Sequence, residues 1–355
     1  MTVPTLDGIE ARTIASDRIT TRVLFHGDAD GTPVLFIHGN LSSATWWEPT
    51  MLALPDGFLG IAPDQRAYGD AEPGARIDAT RGMGELSEDA AALLDALGID
   101  QAIVVGSSLG GNVVWRMIAD HPHRITTAIQ VDPGSPYGYG ATKGADGEPT
   151  TPDFAGSGAG LVNPEMVQRL KDGDAGTDSP FSPRNVFRTL IVKAGHIDEN
   201  EDAHVAAMLA IHLGDQDYPG DAVPSPNWPF AGPGVFGPNN GLSPKYVTAH
   251  VGALAADPKP HVVWIRGAQS AIITDAGPLD PGTWGSTGLV PGYPGTEAYP
   301  PQPMVSQTRQ WLGMYADAGG SFEEVVLPEA GHVPYLDDPE HFNGVLHAHL
   351  RTASK

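Results

Sequence analysis

Gly106-Ser107-Ser108-Leu109-Gly110 follows the apolar run Ile103–Val105 and leads into a helical pattern that opens with Gly111. Between a strand and a helix, G-x-S-x-G forces its central serine into a strained backbone conformation, and only small flanking residues fit around it. Ser108, rather than its neighbour Ser107, is therefore the candidate nucleophile. A serine hydroxyl needs a base before it can attack a carbonyl. Among 13 histidines, His332 in Ala330-Gly331-His332-Val333-Pro334 lies just after the last predicted strand and before the last helix, at the same carboxyl edge as Ser108. His121 and His123 flank a proline, His347 and His349 sit on the final helix, and His196, His204, His212 and His250 fall in a loop-rich middle stretch. A third piece is Val34-Leu35-Phe36-Ile37-His38-Gly39-Asn40, a strand running into a tight turn. The backbone N–H groups of Asn40 and Leu109 could together form an oxyanion hole, where each donor is typically worth about 10²–10³ in rate. His38 reads as a brace for that turn. No histidine or acid cluster has metal-ligand spacing, so neither a metal nor a cofactor is expected.

The elements that must position these residues read as two regular stretches around an irregular one. Strands are predicted at Arg22–His26, Val34–Ile37, Phe58–Ala62, Ile103–Val105 and Thr127–Val131, with helices at Glu85–Leu97 and Leu109–Ala119. This alternation implies a parallel sheet with covered faces. It resumes with a strand at His261–Arg266, a helix at Val305–Ala318, a strand at Phe322–Leu327 and a helix at Pro339–Arg351. Between them glycine, proline and aspartate are dense. Helices are predicted at Glu165–Lys171 and Asn185–Lys193, where Asn163-Pro164 and Ser182-Pro183 provide capping pairs, and at Glu199–Leu213. The turn-rich run 218–241 carries Trp228, Phe230 and Phe236, which points to an ordered loop covering something apolar.

The segments FIHGNLSSATWW, Asp64–Glu72 (DQRAYGDAE), GSSLGG and Ala330–Phe342 (AGHVPYLDDPEHF) resemble the α/β-hydrolase superfamily in order and spacing, over residues 20–135 and 260–352. The first is most similar to the branch that holds haloalkane dehalogenases and related esterases and lactonases. The resemblance implies an α/β chain with a mostly parallel eight-stranded sheet flanked by helices. It also implies a core of residues 1–135 and 257–355 and a mainly helical and loop-built cap of residues 136–256, inserted after the sixth strand. One position departs from the family. Where the triad acid usually follows the penultimate strand, this chain has Ser270, which cannot stabilise an imidazolium. Asp132 is the leading substitute, because it ends the sixth strand at the carboxyl edge; in the resembling dehalogenases and in some lactonases, such as those acting on zearalenone, the acid sits there. Asp275 is the alternative acid. A serine at position 108 disfavours dehalogenase and epoxide hydrolase chemistry, which need a carboxylate nucleophile there.

The resulting expectation is a serine hydrolase that cleaves a carboxylic ester or lactone of a bulky apolar small-molecule substrate through an acyl-enzyme, with Ser108, His332 and Asp132 as its triad. Trp47, Trp228, Phe230 and Tyr246 are candidate substrate contacts. The alternatives are a C–C bond hydrolase or cofactor-free perhydrolase of the same fold, or a non-catalytic ligand-binding protein. Composition bounds these readings. With 355 residues and 41% hydrophobic content the chain can fill a sizeable core, and no cysteine is present to serve as a thiolate nucleophile or zinc ligand. The 44 Gly and 33 Pro, about 22% together, stop short of low-complexity composition. A formal charge of −23 opposes binding to nucleic acid or anionic lipid. No signal-peptide or membrane-spanning run is visible, so a cytoplasmic protein with no membrane partner is expected, with a homodimer left open.

Overall fold

The computed structural model describes residues 2–353. Its centre is one sheet of eight strands: β1 (Glu10–Ala15), β2 (Thr20–Gly27), β3 (Thr32–Ile37), β4 (Phe58–Pro63), β5 (Ala102–Ser107), β6 (Ile125–Val131), β7 (His261–Gly267) and β8 (Phe322–Leu327). They lie in the order β1-β2-β4-β3-β5-β6-β7-β8. β2 runs antiparallel to β1 and β4, and every other neighbouring pair is parallel. The central strands are buried almost throughout, which is why they read in sequence as short continuous apolar runs. β1 was not legible: its residues EARTIA are nearly all exposed, offer no apolar face, and become a strand by pairing with β2.

Helices Gly84–Ala96, Leu109–Asp120, Met304–Asp317 and Pro339–Ala353 cover the sheet. Trp115 and Trp311, both fully buried, meet edge to face at 5.0 Å and lock the second of these helices against the third.

Between Val131 and His261 the chain adds no strand to this sheet and consists of short helices, turns and two- or three-residue pairings. Asn163 and Ser182 cap helices as expected, accepting the N–H of Glu165 at 2.8 Å and of Asn185 at 3.4 Å. The helix expected over Asn185–Lys193 instead splits into Pro183–Val186 and a wider π turn, Phe187–Ile191. The one expected over Glu199–Leu213 stops at Leu209, and Leu213 pairs with Tyr218.

Residues 277–303, placed with the core on sequence, pack on the inserted stretch. Trp228 stacks edge to face on Tyr293 and Tyr299, with ring centroids at 5.1 and 4.8 Å, and its indole N–H donates to the Pro291 carbonyl at 3.1 Å. Tyr299 donates its hydroxyl to the Ala155 carbonyl at 2.8 Å. Two separate segments thus roof the carboxyl edge of the sheet. Among the described residues no helix is long and apolar enough to cross a membrane.

Candidate active site

Two backbone hydrogen bonds extend the sheet ladders by one residue and put the candidate groups side by side. Ser108 N–H donates to Val131 O at 3.0 Å, and Asp132 N–H donates to Ile265 O at 2.9 Å. Both residues then leave the sheet in the left-handed region, Ser108 with φ 55° and Asp132 with φ 42°. Such a conformation costs of order 1–3 kcal/mol in a non-glycine residue and persists only where its surroundings enforce it. At Ser108 the enforcement is steric. A Cβ on Gly110 would lie 2.3 Å from the Ile37 carbonyl oxygen, so the helix starting at Leu109 can pass under β3 only as glycine. A Cβ on Gly39 would sit 3.1 Å from the Cβ of Ser108, which shows how closely the turn after β3 approaches the serine.

His332 lies on the loop after β8 and is 3% exposed. Asp337 fixes that loop by accepting the N–H of Gly331 at 2.8 Å and, across to the inserted stretch, that of Lys193 at 2.7 Å. His332 Nδ1 lies 3.3 Å from Asp132 Oδ2. This leaves Nε2 as the ring nitrogen available to the cavity that His332 and Ser108 both line.

Asp132 is wholly buried, and burial pushes its pKa above the usual carboxylate value; His332, the Ser270 hydroxyl and, more weakly, the Arg266 charge pull it back. Ser270, at the position the resemblance reserves for the acid, holds its Oγ 3.5 Å from His332 Nδ1 and accepts the Ile273 N–H. The alternative acid, Asp275, is not at the site. It is exposed, and its two carboxylate oxygens accept the N–H and hydroxyl of Ser306 at 2.9 and 2.6 Å, anchoring the start of helix Met304–Asp317.

Leu109 is the first residue of its helix, so its N–H has no acceptor within the helix. Among the described residues, the Asn40 N–H likewise has no acceptor. Both residues border the cavity beside Ser108. His38 braces the turn. Its Nε2 accepts the Gln65 N–H at 3.0 Å, which leaves the proton on Nδ1, 2.8 Å from the Gly39 carbonyl. Burial drives its pKa down to about 4, so the ring is neutral at pH 7.

A family model described as the alpha/beta hydrolase fold matches residues 32–151, the stretch that carries the turn after β3, Ser108 and Asp132. The chain has the α/β-hydrolase fold. It is 29% identical over 133 residues to the AB hydrolase superfamily protein YfhM of Bacillus subtilis, covering 37% of this chain and 46% of that protein. The curated relatives it matches first are thus spanned over less than half of their length. Two solved structures share the fold over nearly the whole chain. The esterase EaEST of Exiguobacterium antarcticum aligns with a TM-score of 0.58 at 14% identity, over 96% of this chain and 100% of that one. The 2-hydroxy-6-oxo-6-phenylhexa-2,4-dienoate hydrolase of Rhodococcus sp. strain RHA1 also has a TM-score of 0.58, at 17% identity, over 97% and 99%.

The cavity of this hydrolase-fold chain has a volume of about 730 Å³. Its walls are Trp46 and Leu41 from the core, Leu161, Met166, Phe181, Val186, Leu190 and Tyr218 from the inserted stretch, and Ile272, Ile273, Trp284 and Leu289 from the segment after β7. No Asp, Glu, Lys or Arg lines it among the described residues. None of the four expected substrate contacts is there. Trp47 is fully buried in the core, stacked on Tyr335 at 4.2 Å. Trp228 is the anchor between the two roof segments. Phe230 is 52% exposed outside the cavity. Tyr246 donates its hydroxyl to the Gly234 carbonyl at 2.8 Å, away from the cavity.

Of the adjacent pair Trp46 and Trp47, Trp46 is the one that reaches the cavity. It packs edge to face on Phe187 at 5.5 Å and donates its indole N–H to the His204 carbonyl at 3.1 Å. The adjacent pair carried that signal, but only the 3₁₀ turn Ala44–Trp47 decides which indole faces in. The helical spacing over 185–193 puts Val186, Phe187, Leu190 and Ile191 on one apolar face; Val186, Leu190 and Ile191 line the cavity, whereas Phe187 packs behind it on Trp46. The contribution of residues 272–290 left no periodic signal. Among the described residues, no group of three or more His, Asp or Glu is placed to hold a metal.

Proposed function

We propose that this protein is a serine hydrolase that cleaves carboxylic esters or lactones of bulky, uncharged, apolar substrates, with residues 136–256 acting as a cap. The observation that carries the reading is the 3.3 Å approach of His332 to Asp132 beside a strained Ser108, at the wall of a cavity with no ionised side chain. Ser108 Oγ attacks the acyl carbon while His332 Nε2 takes its proton. Asp132, facing Nδ1, fixes the imidazole tautomer and offsets the positive charge that forms. The N–H groups of Asn40 and Leu109 receive the charge on the carbonyl oxygen as the tetrahedral intermediate forms. His332 then protonates the leaving alcohol, and a water activated by the same nitrogen releases the acid and restores Ser108.

The cavity lining also favours this reading over hydrolysis of a carbon–carbon bond in an anionic substrate. One solved structure of the same fold is named as the hydrolase of a dienoate, an anion. A carboxylate buried in this cavity would meet no Lys or Arg, and an unpaired buried charge costs several kcal/mol.

The test pairs p-nitrophenyl esters of equal chain length, one ending in methyl and one in carboxylate, with fluorophosphonate labelling. The wild type should label and Ser108→Ala should not, and the neutral ester should be cleaved at least about 100-fold faster, the equivalent of about 3 kcal/mol. A folded wild type that neither labels nor cleaves any ester would remove the catalytic reading. Preference for the carboxylate-terminated ester would remove the substrate class.

A further inference from the structure

The Asn40 peptide, which supplies one proposed oxyanion donor, lies in a turn of little regular structure. The next residue, Leu41, is itself in the left-handed region, with φ 53°. Such a turn holds its shape only if something clamps it. The clamp is the Asn40 side chain. Its Oδ1 accepts the Leu41 N–H at 3.0 Å and the Tyr68 hydroxyl at 2.7 Å. Tyr68 is fully buried in the core, and burial raises its pKa far enough to keep the phenol a donor. The opposite side of the same amide, Nδ2, donates to Asn239 Oδ1 at 2.9 Å.

Asn239 comes from the inserted stretch, 199 residues away in sequence, and its own position is fixed. It lies on the turn Pro238–Gly241. Gly237 N–H donates to the Ile77 carbonyl at 3.0 Å, and Ala79 N–H donates to that of Val235 at 2.9 Å, so this part of the insertion is tied to the core loop after β4. The neighbouring Asn240 is fully buried and donates to the carbonyls of Asp221 and Phe236, both at 2.7 Å. Asn40 and Asn239 both border the cavity.

We propose that Asn239 is a positioning residue for the oxyanion hole: by accepting the Asn40 side-chain N–H it aims the Asn40 peptide at the reacting carbonyl oxygen, so the inserted stretch completes the catalytic centre as well as roofing it. This rests on the serine hydrolase reading above. With Asn239 truncated, the Tyr68 hydrogen bond still holds one edge of the amide, and the peptide gains freedom about it. A misplacement of about an ångström can cost up to about 10²-fold in rate. The interaction that suffers is made chiefly in the transition state, so kcat falls while KM stays nearly constant.

The experiment measures kcat and KM of wild type, Asn239→Ala, Asn239→Leu, Asn40→Ala and the Asn40→Ala/Asn239→Ala double variant on the best p-nitrophenyl ester. It also measures inhibition by a trifluoromethyl ketone, which forms a hemiketal oxyanion with the serine, against its methyl ketone parent. Asn239→Leu fills the space that Asn239→Ala leaves, so one of the two reports on the lost acceptor without a hole. Expected are a roughly tenfold or greater loss of kcat with KM within about twofold, and an equal loss of the trifluoromethyl ketone's advantage. The double variant should be no slower than Asn40→Ala alone. Unchanged kcat in both Asn239 variants, a loss confined to KM, or additive losses in the double variant would overturn this inference and leave the serine hydrolase reading standing. A wild type inert to ester, ketone and fluorophosphonate would overturn both.

Discussion

Replacing Asp132 with asparagine tests the most consequential contact in the site. The carboxylate lies 3.3 Å from His332 Nδ1, and neither partner is more than 4% exposed at its side chain. At that separation, with an effective dielectric constant of about 20, the attraction between a carboxylate and the imidazolium formed during reaction is about 5 kcal/mol. Losing it amounts to between three and four powers of ten in rate, at about 1.4 kcal/mol each. An amide in its place can also stabilise the wrong imidazole tautomer, which acts in the same direction. Asp132→Asn should therefore lower kcat by about 10³–10⁴.

It should do so without unfolding the protein. Burial raises the Asp132 pKa, so the ionised group costs the folded state free energy once pH rises through the carboxylate range. Removing the charge should leave the thermal midpoint at pH 7 equal or higher. The assay is ester turnover with calorimetry on the same samples, and Ser270→Ala and Asp275→Asn as comparisons. Ser270→Ala should cost only a few fold, because its hydroxyl stands 3.5 Å from the ring and carries no charge. Asp275→Asn should leave kcat near wild type, because its carboxylate is spent on Ser306. An Asp132→Asn enzyme within tenfold of wild type, or an Asp275→Asn enzyme that is dead while folded, would refute the assignment.

Acid stability should report on His38. Its folded pKa of about 4 lies below the value near 6.5 of an exposed histidine, so the unfolded chain takes up a proton in that interval and the folded one does not. The stability this protects is complete above about pH 6.5, and about 3 kcal/mol of it is lost as pH falls to 4. Urea titrations of wild type and His38→Gln across that range should differ by this slope, and parallel curves would contradict it. Trp47→Ala should cost about 3–5 kcal/mol of stability, as loss of a fully buried indole does. Phe230→Ala, at a half-exposed ring, should change neither the melting temperature nor kcat/KM beyond error; a large KM effect from it would mean that the cavity extends further than its walls indicate.

Local rules made much of the core legible. β3, β5 and β6 are buried on both faces, so each is a short apolar run whatever surrounds it, and the helix starts at Asn163 and Ser182 follow from the reach of one side chain to a nearby N–H. The turn at Ser108 is equally local, because small residues on either side of one strained serine are a steric requirement of a few consecutive positions. β1 escaped notice because an exposed edge strand needs no apolar periodicity, only a partner. The helix over 185–193 was misjudged because its apolar spacing suits a wall of the cavity, and the chain meets it with a π turn.

The sequence by itself determined that a serine would stand strained at the end of β5, that a histidine would follow β8, and that the usual acid position holds a serine. It could not separate Asp132 from Asp275, nor Trp46 from Trp47. Only the tertiary structure decided those. The β6–β7 ladder carries Asp132 to the imidazole while helix Met304–Asp317 draws Asp275 away, and a single 3₁₀ turn chooses between adjacent indoles. The contact from Asn239 to Asn40 lies furthest beyond the sequence, since two ordinary asparagines 199 residues apart carry no pattern until the fold brings their amides to 2.9 Å. Periodicity and sterics act between near neighbours in the chain and can be read there. A hydrogen bond across such a separation depends on every turn between its partners.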